Sequence, residues 1–391
     1  MRRLLLVGTC SLALFGIAVA RGKRVVEPAL DPPVADPAPP VAAAPAASAA
    51  PAAALFAGGL PVTLTTLPAG LASASAQGCN ACHYAAHDTW SGSAHARAWS
   101  NPHYQMALRS AGDSTACLSC HLPLTNQHFE LAAGYIDNDL SRPRLQPNPA
   151  FDVTLRAEGV TCAACHVRAD TILGTREAPD SPHRVTVSAE LSSPEMCATC
   201  HQLTWPDADR PFYDTYGEWK ASAWATAGVT CQDCHMAPTA GAVVPGTDGT
   251  VPSHAIAADL RRAVSVLVTV PSGVVQRGQA LSVSVLVQNT GAGHSLPTGN
   301  PFKVATLSVT LLDTTGKALA PPWTLPWART VEMAPPWRTT ADHRLPAGGQ
   351  ETANFQLTPS AKGAAGLGVI EVALTQGDRS VVLQRLPIDV R

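Results

Sequence analysis

The pentapeptide Cys162-Ala163-Ala164-Cys165-His166 has the form Cys-x-x-Cys-His, which occurs five times in this chain of 391 residues. The ten cysteines of the five copies are Cys79, Cys82, Cys117, Cys120, Cys162, Cys165, Cys197, Cys200, Cys231 and Cys234. The histidines that close the copies are His83, His121, His166, His201 and His235. Chance placement at these Cys and His frequencies would give such a pentapeptide on the order of 0.01 times. The copies are therefore one chemical unit repeated, and of the eleven cysteines only Cys10 lies outside them.

This spacing is typical of covalent c-type haem attachment. Two thiols about one turn apart can form thioethers with the two vinyl groups on one haem edge, and the adjacent His then lies under the iron as proximal ligand. Zinc ribbons pair Cys-x-x-Cys units without a His after each one, and a disulfide framework has no use for those histidines. We therefore predict five covalently bound c-type haems, whose iron is held by the five motif histidines.

Consecutive motif histidines are separated by only 38, 45, 35 and 34 residues. Such short segments cannot enclose each large macrocycle in an apolar core of its own. We therefore expect the haems to pack against one another as a chain for electron transfer, wrapped by short helices and loops. Much of this part of the fold should depend on the haems, as small domains depend on covalent or metal staples.

Eight further histidines are candidates for the sixth coordination position of the five irons. Full bis-histidine ligation would give low-spin haems of low potential, whereas Met ligation raises the potential. We favour four distal ligands, namely His95, His183, His254 and His294. A second group of candidates, each weighed against a surface or hydrogen-bonded role, consists of His87, His103 and His128. His343 lies in a Pro/Gly-rich region far from the motifs and is expected at the surface.

A partial internal repeat accompanies two of the motifs. Gly159-Val160-Thr161-Cys162 recurs as Gly228-Val229-Thr230-Cys231, and the stretch Trp219 to Trp224 echoes the stretch Trp90 to His95. The second copy has Trp224 where the first has His95, so the two copies cannot offer the same ligand. We expect Trp224 to pack against a haem face.

The C-terminal third has the period-two alternation of β-strands. The alternating runs are 264–270, 281–287, 306–312, 351–357 and 368–374. With no Cys and about 130 residues, this region predicts an immunoglobulin-like antiparallel β-sandwich. One loop, Asn289 to Gly299, contains His294; it is either a Gly/Pro-rich connection with an incidental His or the source of a ligand that fixes the sandwich to a haem.

The N-terminus has the form of an export signal. Arg2 and Arg3 precede the apolar stretch Leu4 to Ala20, which ends in Ala-Val-Ala. Cleavage and retention as a membrane anchor both remain open, because the stretch is at the lower limit for a spanning helix and basic residues follow it. The segment Pro28 to Ala54 holds 8 Pro and 13 Ala in 27 positions, which predicts an extended linker.

These observations define a mixed α+β chain of several parts. The predicted boundaries are 1–26 for the signal peptide or anchor, 27–60 for the linker, 61–258 for a mainly helical and irregular pentahaem domain, and 259–391 for the sandwich. The formal net charge is -2 and charged residues make up 14%. No basic patch is therefore expected for nucleic acid, and the lack of further long apolar runs excludes a polytopic membrane protein.

The motif and flanking residues from Cys79 to Ala98 resemble those of the tetrahaem cytochromes of ammonia-oxidising bacteria and their wider multihaem c-type cytochrome superfamily. The stretch Glu218 to Met236 and the loop Gly293 to Gly299 resemble those of exported multihaem cytochromes with an appended β-sandwich. The resemblance covers roughly residues 77 to 312. It implies electron transfer, although related members include nitrite and hydroxylamine enzymes.

We therefore expect an electron carrier rather than an enzyme, working in a respiratory or extracellular electron-transfer chain. The alternative is a multihaem reductase of a small nitrogen or sulfur oxyanion, which needs one iron with an open site and Arg, Lys or Tyr nearby. No Cys-x-x-Cys-Lys is present, which departs from the catalytic motif of pentahaem nitrite reductases. The expected location is the periplasm or cell surface, with anchoring to the inner membrane as an option. The expected partners are redox proteins, either quinone-linked proteins or other cytochromes.

Overall fold

The computed structural model describes residues 55–56, 59–110, 115–139, 142–205, 208–257, 259–332 and 338–391, together with the backbone of Val26 and Glu27. Apart from Val26, the predicted signal or anchor with Cys10 lies outside these residues, as does most of the predicted linker. Within the described residues, no helix is both long and apolar enough to cross a membrane.

The described part of residues 76 to 235 contains ten short α-helices, and none exceeds nine residues. They are α1 (Ala76–Asn80), α2 (Tyr84–Ser91), α3 (Pro102–Ser110), α4 (Thr115–His121), α5 (Val153–Ala157), α6 (Cys162–His166), α7 (Pro194–His201), α8 (Thr215–Lys220), α9 (Ala223–Thr226) and α10 (Cys231–His235). 3₁₀ turns at Thr125–Gln127, Ile136–Asn138 and Ala189–Ser192 lie between them, and a further 3₁₀ turn, Leu260–Arg262, precedes the C-terminal strands. Helices this short have little stability of their own and depend on caps and tertiary contacts.

Local sequence sets where the motif helices begin. The Ser193 hydroxyl accepts from the Glu195 N–H at the start of α7, with Pro194 at the first helical position. Thr230 and Asp233 form a capping box at the start of α10, in which each side chain accepts from the other residue's backbone N–H. Such caps satisfy N–H groups that have no partner inside a helix.

Small β-ladders fill the spaces between these helices. A hairpin pairs β2 (Glu130–Tyr135) with β3 (Pro143–Pro147), and a second ladder joins β4 (Val167–Arg168), β5 (Thr171–Gly174) and β6 (Val185–Val187). Two further pairs are β7 (Gln202–Leu203) with β8 (Tyr213–Asp214), and β9 (Pro238–Ala240) with β10 (Thr250–Pro252).

Two larger sheets make up the C-terminal region. The first has the order β1-β17-β13-β11, with β1 (Val26–Glu27), β11 (Ser265–Thr269), β13 (Leu281–Gln288) and β17 (Gln350–Leu357). The second has the order β12-β19-β18-β14-β15-β16, with β12 (Val274–Val275), β14 (Val304–Asp313), β15 (Trp323–Val331), β16 (Thr339–Asp342), β18 (Gly366–Gln376) and β19 (Arg379–Val390). All pairings are antiparallel except that of β12 with β19.

One continuous apolar core lies between the two sheets. Val285 and Val287 of β13 belong to the same buried cluster as Leu307 of β14 and Ile370 of β18, and all four residues are fully buried. Trp327 is also fully buried, and its indole N–H donates to Glu351 at 3.0 Å. The buried apolar clusters among the described residues before 259 are far smaller, such as Leu55, Leu173 and Leu191. The two regions are therefore stabilised differently, with the C-terminal sheets alone holding a conventional core.

The fold agrees with the mixed α+β expectation. Each of the five alternating runs coincides with a strand, namely β11, β13, β14, β17 and β18. The alternation did not indicate β15 and β19, since β15 contains Pro326 and the burial pattern of β19 is irregular. Pro is normally depleted from strand interiors, so its presence weakens the sequence signal.

Candidate haem-binding site

The five motifs place their cysteines and histidines on short helices or at helix junctions. Motifs two to five end α4, α6, α7 and α10, each with its His as the last helical residue. In motif one, Cys79 lies in α1 and His83 is the residue just before α2. Because residues three apart share a helix face, the two cysteines of a motif point the same way. The ten motif cysteines form no disulfide.

Three motif histidines have their orientation fixed by a backbone carbonyl. His83 Nδ1 lies 2.8 Å from the Val243 oxygen, His121 Nδ1 lies 2.8 Å from the Ala98 oxygen, and His166 Nδ1 lies 2.9 Å from the Leu173 oxygen. A donor at Nδ1 leaves the Nε2 lone pair available, which is the usual arrangement for a metal-ligating His.

Four motif histidines each face a second imidazole at the same separation. The ring centroids are 6.2 Å apart in every pair, and the pairs are His83 with His183, His201 with His95, His166 with His254, and His235 with His294. The four partners are the four favoured distal candidates. They come from four different parts of the chain, and His294 comes from the loop that follows β13.

Three of the four facing histidines also have a hydrogen-bond partner at Nδ1. His254 Nδ1 lies 2.8 Å from the Pro252 oxygen, His294 Nδ1 lies 3.0 Å from the Ser295 oxygen, and His183 Nδ1 lies 3.0 Å from the Ser181 hydroxyl. Burial lowers the pKa of His201 and of His235 to about 4. Burial also lowers the pKa of His254 and His294. These imidazoles are therefore neutral at pH 7, as metal ligation requires.

The separation fits an axially ligated haem iron. A metal–imidazole bond of about 2.0 Å and a further distance of about 1.1 Å from nitrogen to ring centre, taken on both sides of one metal, span about 6.2 Å. Direct stacking of two imidazoles would bring the ring centres closer, and unrelated histidines would not repeat one value four times. The donor set, two neutral nitrogens with two adjacent thiols, also fits a c-type haem.

His121 of the second motif has a different neighbour. Among the described residues no imidazole faces it at that distance, and its ring is instead stacked on Tyr104 of α3, with centroids 3.6 Å apart and planes 6° from parallel. Tyr213 lies close to Cys117 and Cys120 of the same motif, and desolvation raises the pKa of Tyr213 to about 12. The second motif is thus surrounded by aromatic side chains.

The remaining candidate histidines do not face a motif histidine. His87 packs against Trp90 with ring centroids 5.5 Å apart, and His103 and His343 are exposed. His128 is buried, and its Nε2 lies 2.8 Å from the Leu122 carbonyl oxygen. The nitrogen that would bind iron is therefore occupied in His128 by a backbone hydrogen bond.

The cysteine positions show which motifs are neighbours. Cys79 lies beside Cys162, which places motifs one and three next to each other. Cys120 lies beside Cys200, which places motif two next to motif four, and Cys197 lies beside Cys231, which places motif four next to motif five. Cys165 is close enough to Cys197 for electrostatic interaction, which connects motif three to motif four. The sequence order of the motifs is therefore not their spatial order.

The internal repeat has a structural counterpart. The Trp90 indole donates to the Val160 carbonyl and the Trp219 indole donates to the Val229 carbonyl, both at 2.9 Å. The Val160 N–H donates to the His95 carbonyl at 3.0 Å, just as the Val229 N–H donates to the Trp224 carbonyl at 2.9 Å. Trp224 therefore occupies the position equivalent to His95.

The side chain of Trp224 contacts the loop that carries His294. A Cβ added at Gly293 would lie 3.2 Å from Trp219 and 3.3 Å from Trp224, so the backbone passes closely between the two indoles. Sequence reasoning indicated an exchange of His for Trp at this position. It did not find Tyr104 or the polar residues that surround His294, since single polar or aromatic residues carry no spacing signal.

Comparison with known proteins supports the fold. The chain is similar to a penta-heme cytochrome c552 from Thermochromatium tepidum, with a TM-score of 0.56 and 19% identity over 82% of this chain and 100% of that one. A CARDB domain from Pyrococcus furiosus covers 33% of this chain with a TM-score of only 0.20 and 16% identity, too low to support a comparison. No family model and no curated protein matches. The chain therefore has a multihaem cytochrome c fold.

Proposed function

We propose that this protein is a pentahaem c-type cytochrome that carries electrons along closely packed haems. The observation that carries the proposal is the single 6.2 Å separation of four histidine pairs, each with one member in a Cys-x-x-Cys-His motif. Bound haem would supply one-electron redox chemistry at each motif. The chain's own residues attach it, ligate it and exclude water from it.

The residues divide into three roles. The ten motif cysteines are the attachment points, and the five motif histidines are the proximal ligands. His95, His183, His254 and His294 are the distal ligands. A neutral imidazole on each side of a bound haem iron would favour the low-spin state. Low-spin iron changes little in geometry on electron transfer, which suits a carrier.

The cysteine contacts support a branched order of the sites. Motifs one, three, four and five would follow one another in a row, and motif two would branch from motif four. This order gives ends at motifs one, five and two, where electrons can enter or leave.

The proposal is tested by electron paramagnetic resonance of the oxidised protein, with total haem measured on the same sample. We expect four low-spin bis-histidine signals and a distinct fifth haem. Fewer than four bis-histidine haems would contradict the ligand assignment. Reduction should then be followed by spectroelectrochemical titration, in which all haems of a carrier respond reversibly.

A reductase of a small nitrogen or sulfur oxyanion is the second candidate, and the environment of His121 favours it. That motif lies at the end of a branch, has no facing imidazole among the described residues and has Tyr104 and Tyr213 nearby. Turnover of nitrite, hydroxylamine or sulfite with a reduced viologen donor would support this function. A fifth haem that is low-spin and binds none of these molecules would exclude it.

Three further expectations belong to this proposal. The chain would be exported to the periplasm or cell surface, cleaved or anchored at its N-terminus, and its partners would be other redox proteins. The two C-terminal sheets would form an immunoglobulin-like sandwich whose loop supplies His294. Fractionation of the native host with a mass measurement of the mature N-terminus tests the location.

A further inference from the structure

A buried cluster of charged groups lies beside the loop that carries His294. Glu218, within α8 and next to Trp219, makes an ion pair with Arg344 at 2.5 Å. The side chains of Glu218 and Arg344 are only 11% and 8% exposed. Buried charges are costly unless they are fully paired, so this cluster needs a structural or functional reason.

Glu218 holds the loop directly. Its Oε2 accepts from the Ser295 backbone N–H at 3.1 Å and from the Thr298 hydroxyl at 2.7 Å. Ser295 follows His294, so one carboxylate oxygen fixes the backbone next to the imidazole. The other oxygen faces Arg344.

Arg344 joins the same loop to the C-terminal sheets. Its Nε and Nη2 donate to the two carboxylate oxygens of Asp342, both at 2.8 Å. The next residue, Leu345, exchanges two backbone hydrogen bonds with Leu296, at 2.8 and 3.0 Å. The arginine is therefore rigidly held when it meets Glu218, because bidentate pairs fix geometry.

The other side of the loop is held by Asn289, which is fully buried. Its side-chain amide donates to the His294 carbonyl at 2.9 Å and to the Leu345 carbonyl at 3.2 Å, and its oxygen accepts from the Ala292 N–H at 3.1 Å. The loop, Asn289 and Arg344 all belong to the region of the C-terminal sheets. Glu218 belongs to the region that carries the motifs, so its hydrogen bonds join the loop to that region.

We propose that Glu218 and Arg344 are positioning residues that hold His294 against the haem of the fifth motif. The repeat shows where the loop is seated. His95 of the first copy faces His201 of the fourth motif, whereas the second copy has Trp224 at the equivalent position, and Trp224 and Glu218 both contact the loop that carries His294. The inference rests on the proposed role of His294.

Glu218→Gln tests this directly, because an amide cannot replace the carboxylate on both sides. If the Gln amide oxygen faces Ser295 and Thr298, the amide NH₂ group points at the guanidinium N–H groups of Arg344, and two donors then face each other. In the reverse orientation the NH₂ group points at the Ser295 N–H and the Thr298 hydroxyl, which are donors as well. We expect the fraction of protein in which the haem of the fifth motif has a free sixth position to rise about tenfold, which is about 1.4 kcal/mol.

Carbon monoxide binding to the reduced protein measures that fraction, since carbon monoxide must displace His294. The expected result is a faster binding phase, additional to that of the haem of the second motif, that corresponds to one haem per chain and belongs to the haem that His294→Ala opens fully. Glu371→Gln is the matched control, because it breaks the ion pair with Arg385 at 2.7 Å within the C-terminal sheets, away from the loop. This control should leave carbon monoxide binding unchanged.

The double variant Glu218→Gln/His294→Ala shows whether Glu218 acts through His294. We expect it to bind carbon monoxide as His294→Ala alone does, and an additive increase would overturn the inference. A Glu218→Gln protein that loses thermal stability but binds carbon monoxide like the wild type would also overturn it, because the ion pair would then be only structural. If His294→Ala itself opens no haem, the ligand assignment has failed instead.

A milder variant keeps the test valid if Glu218→Gln does not accumulate with its haems. Thr298→Val removes one hydroxyl donor to Glu218 and keeps the side-chain shape. It should speed the same phase by a smaller factor. Unchanged binding in both Thr298→Val and Arg344→Lys would contradict the inference.

Discussion

Removal of each facing histidine should open one defined haem. The perturbation is a set of four single variants, His95→Ala, His183→Ala, His254→Ala and His294→Ala. In each, the opposite motif histidine keeps its position, and the methyl group of Ala cannot reach across a gap in which the ring centroids are 6.2 Å apart. The iron should therefore lose one axial nitrogen and become high-spin.

The magnitude follows from the pairing. Each variant should convert one haem in five, and the haem of the second motif, which lacks a facing imidazole among the described residues, is a constant background in all of them. Low-temperature electron paramagnetic resonance with integrated intensities provides the assay. His343→Ala is the control, since His343 is exposed and faces no motif histidine.

The pattern across the set is more informative than any single member. Four variants with the same gain in high-spin intensity, and none in the control, would support all four assignments. A variant that keeps its full low-spin intensity would show that the replaced histidine does not ligate the haem of the opposite motif. Equal gains in His87→Ala or His103→Ala would refute the geometric criterion itself.

Three other predictions concern stability, acid and charge. Trp327→Ala should lower the free energy of unfolding of the C-terminal sheets by about 3–5 kcal/mol, because it empties a fully buried site and removes a donor to Glu351. Chemical denaturation followed by circular dichroism checks this, and a loss below about 1 kcal/mol, the size of an ordinary point-mutation effect, would contradict it. Acid should destabilise the protein, because burial lowers the pKa of His201 and of His235 from 6.5 to about 4 in the folded chain, so that the unfolded chain takes up protons first as the pH falls between these values; chemical denaturation at a series of pH values checks this, and stability that stays level or rises over this window would contradict it. Lys303→Met should lower the midpoint potentials of the haems at motifs four and five by tens of millivolts, because the Lys303 ammonium interacts electrostatically with His201, His235 and His294 and its positive charge favours reduced iron. Redox titration checks this with Lys362→Met as the control, and equal shifts in both variants would contradict it.

Much of the site could be predicted from sequence because covalent chemistry imposes a spacing. Cys-x-x-Cys-His requires its five residues in order, so the attachment points could be identified without a fold. The strands around Val285 and Leu307 were similarly visible, because burial of one sheet face imposes a period of two.

The rest depends on contacts between distant residues, which leave no local pattern. Sequence offered both His183 and His128 as candidate distal ligands, but only His183 faces a motif histidine, His83, while Nε2 of His128 is hydrogen-bonded to the Leu122 carbonyl. The stacking of Tyr104 on His121 and the ion pair of Glu218 with Arg344 arise only when separate segments meet. Tertiary packing alone decides such roles.

A crystal structure of the haem-loaded protein would measure the distance from each iron to its axial ligand atoms. We expect five haems, of which four have iron between the Nε2 atoms of the pairs His83 and His183, His201 and His95, His166 and His254, and His235 and His294. The fifth haem should be attached at Cys117 and Cys120, with His121 as its only histidine ligand. A different partner for any of the four motif histidines, or cysteine pairs that hold zinc or form disulfides, would contradict it.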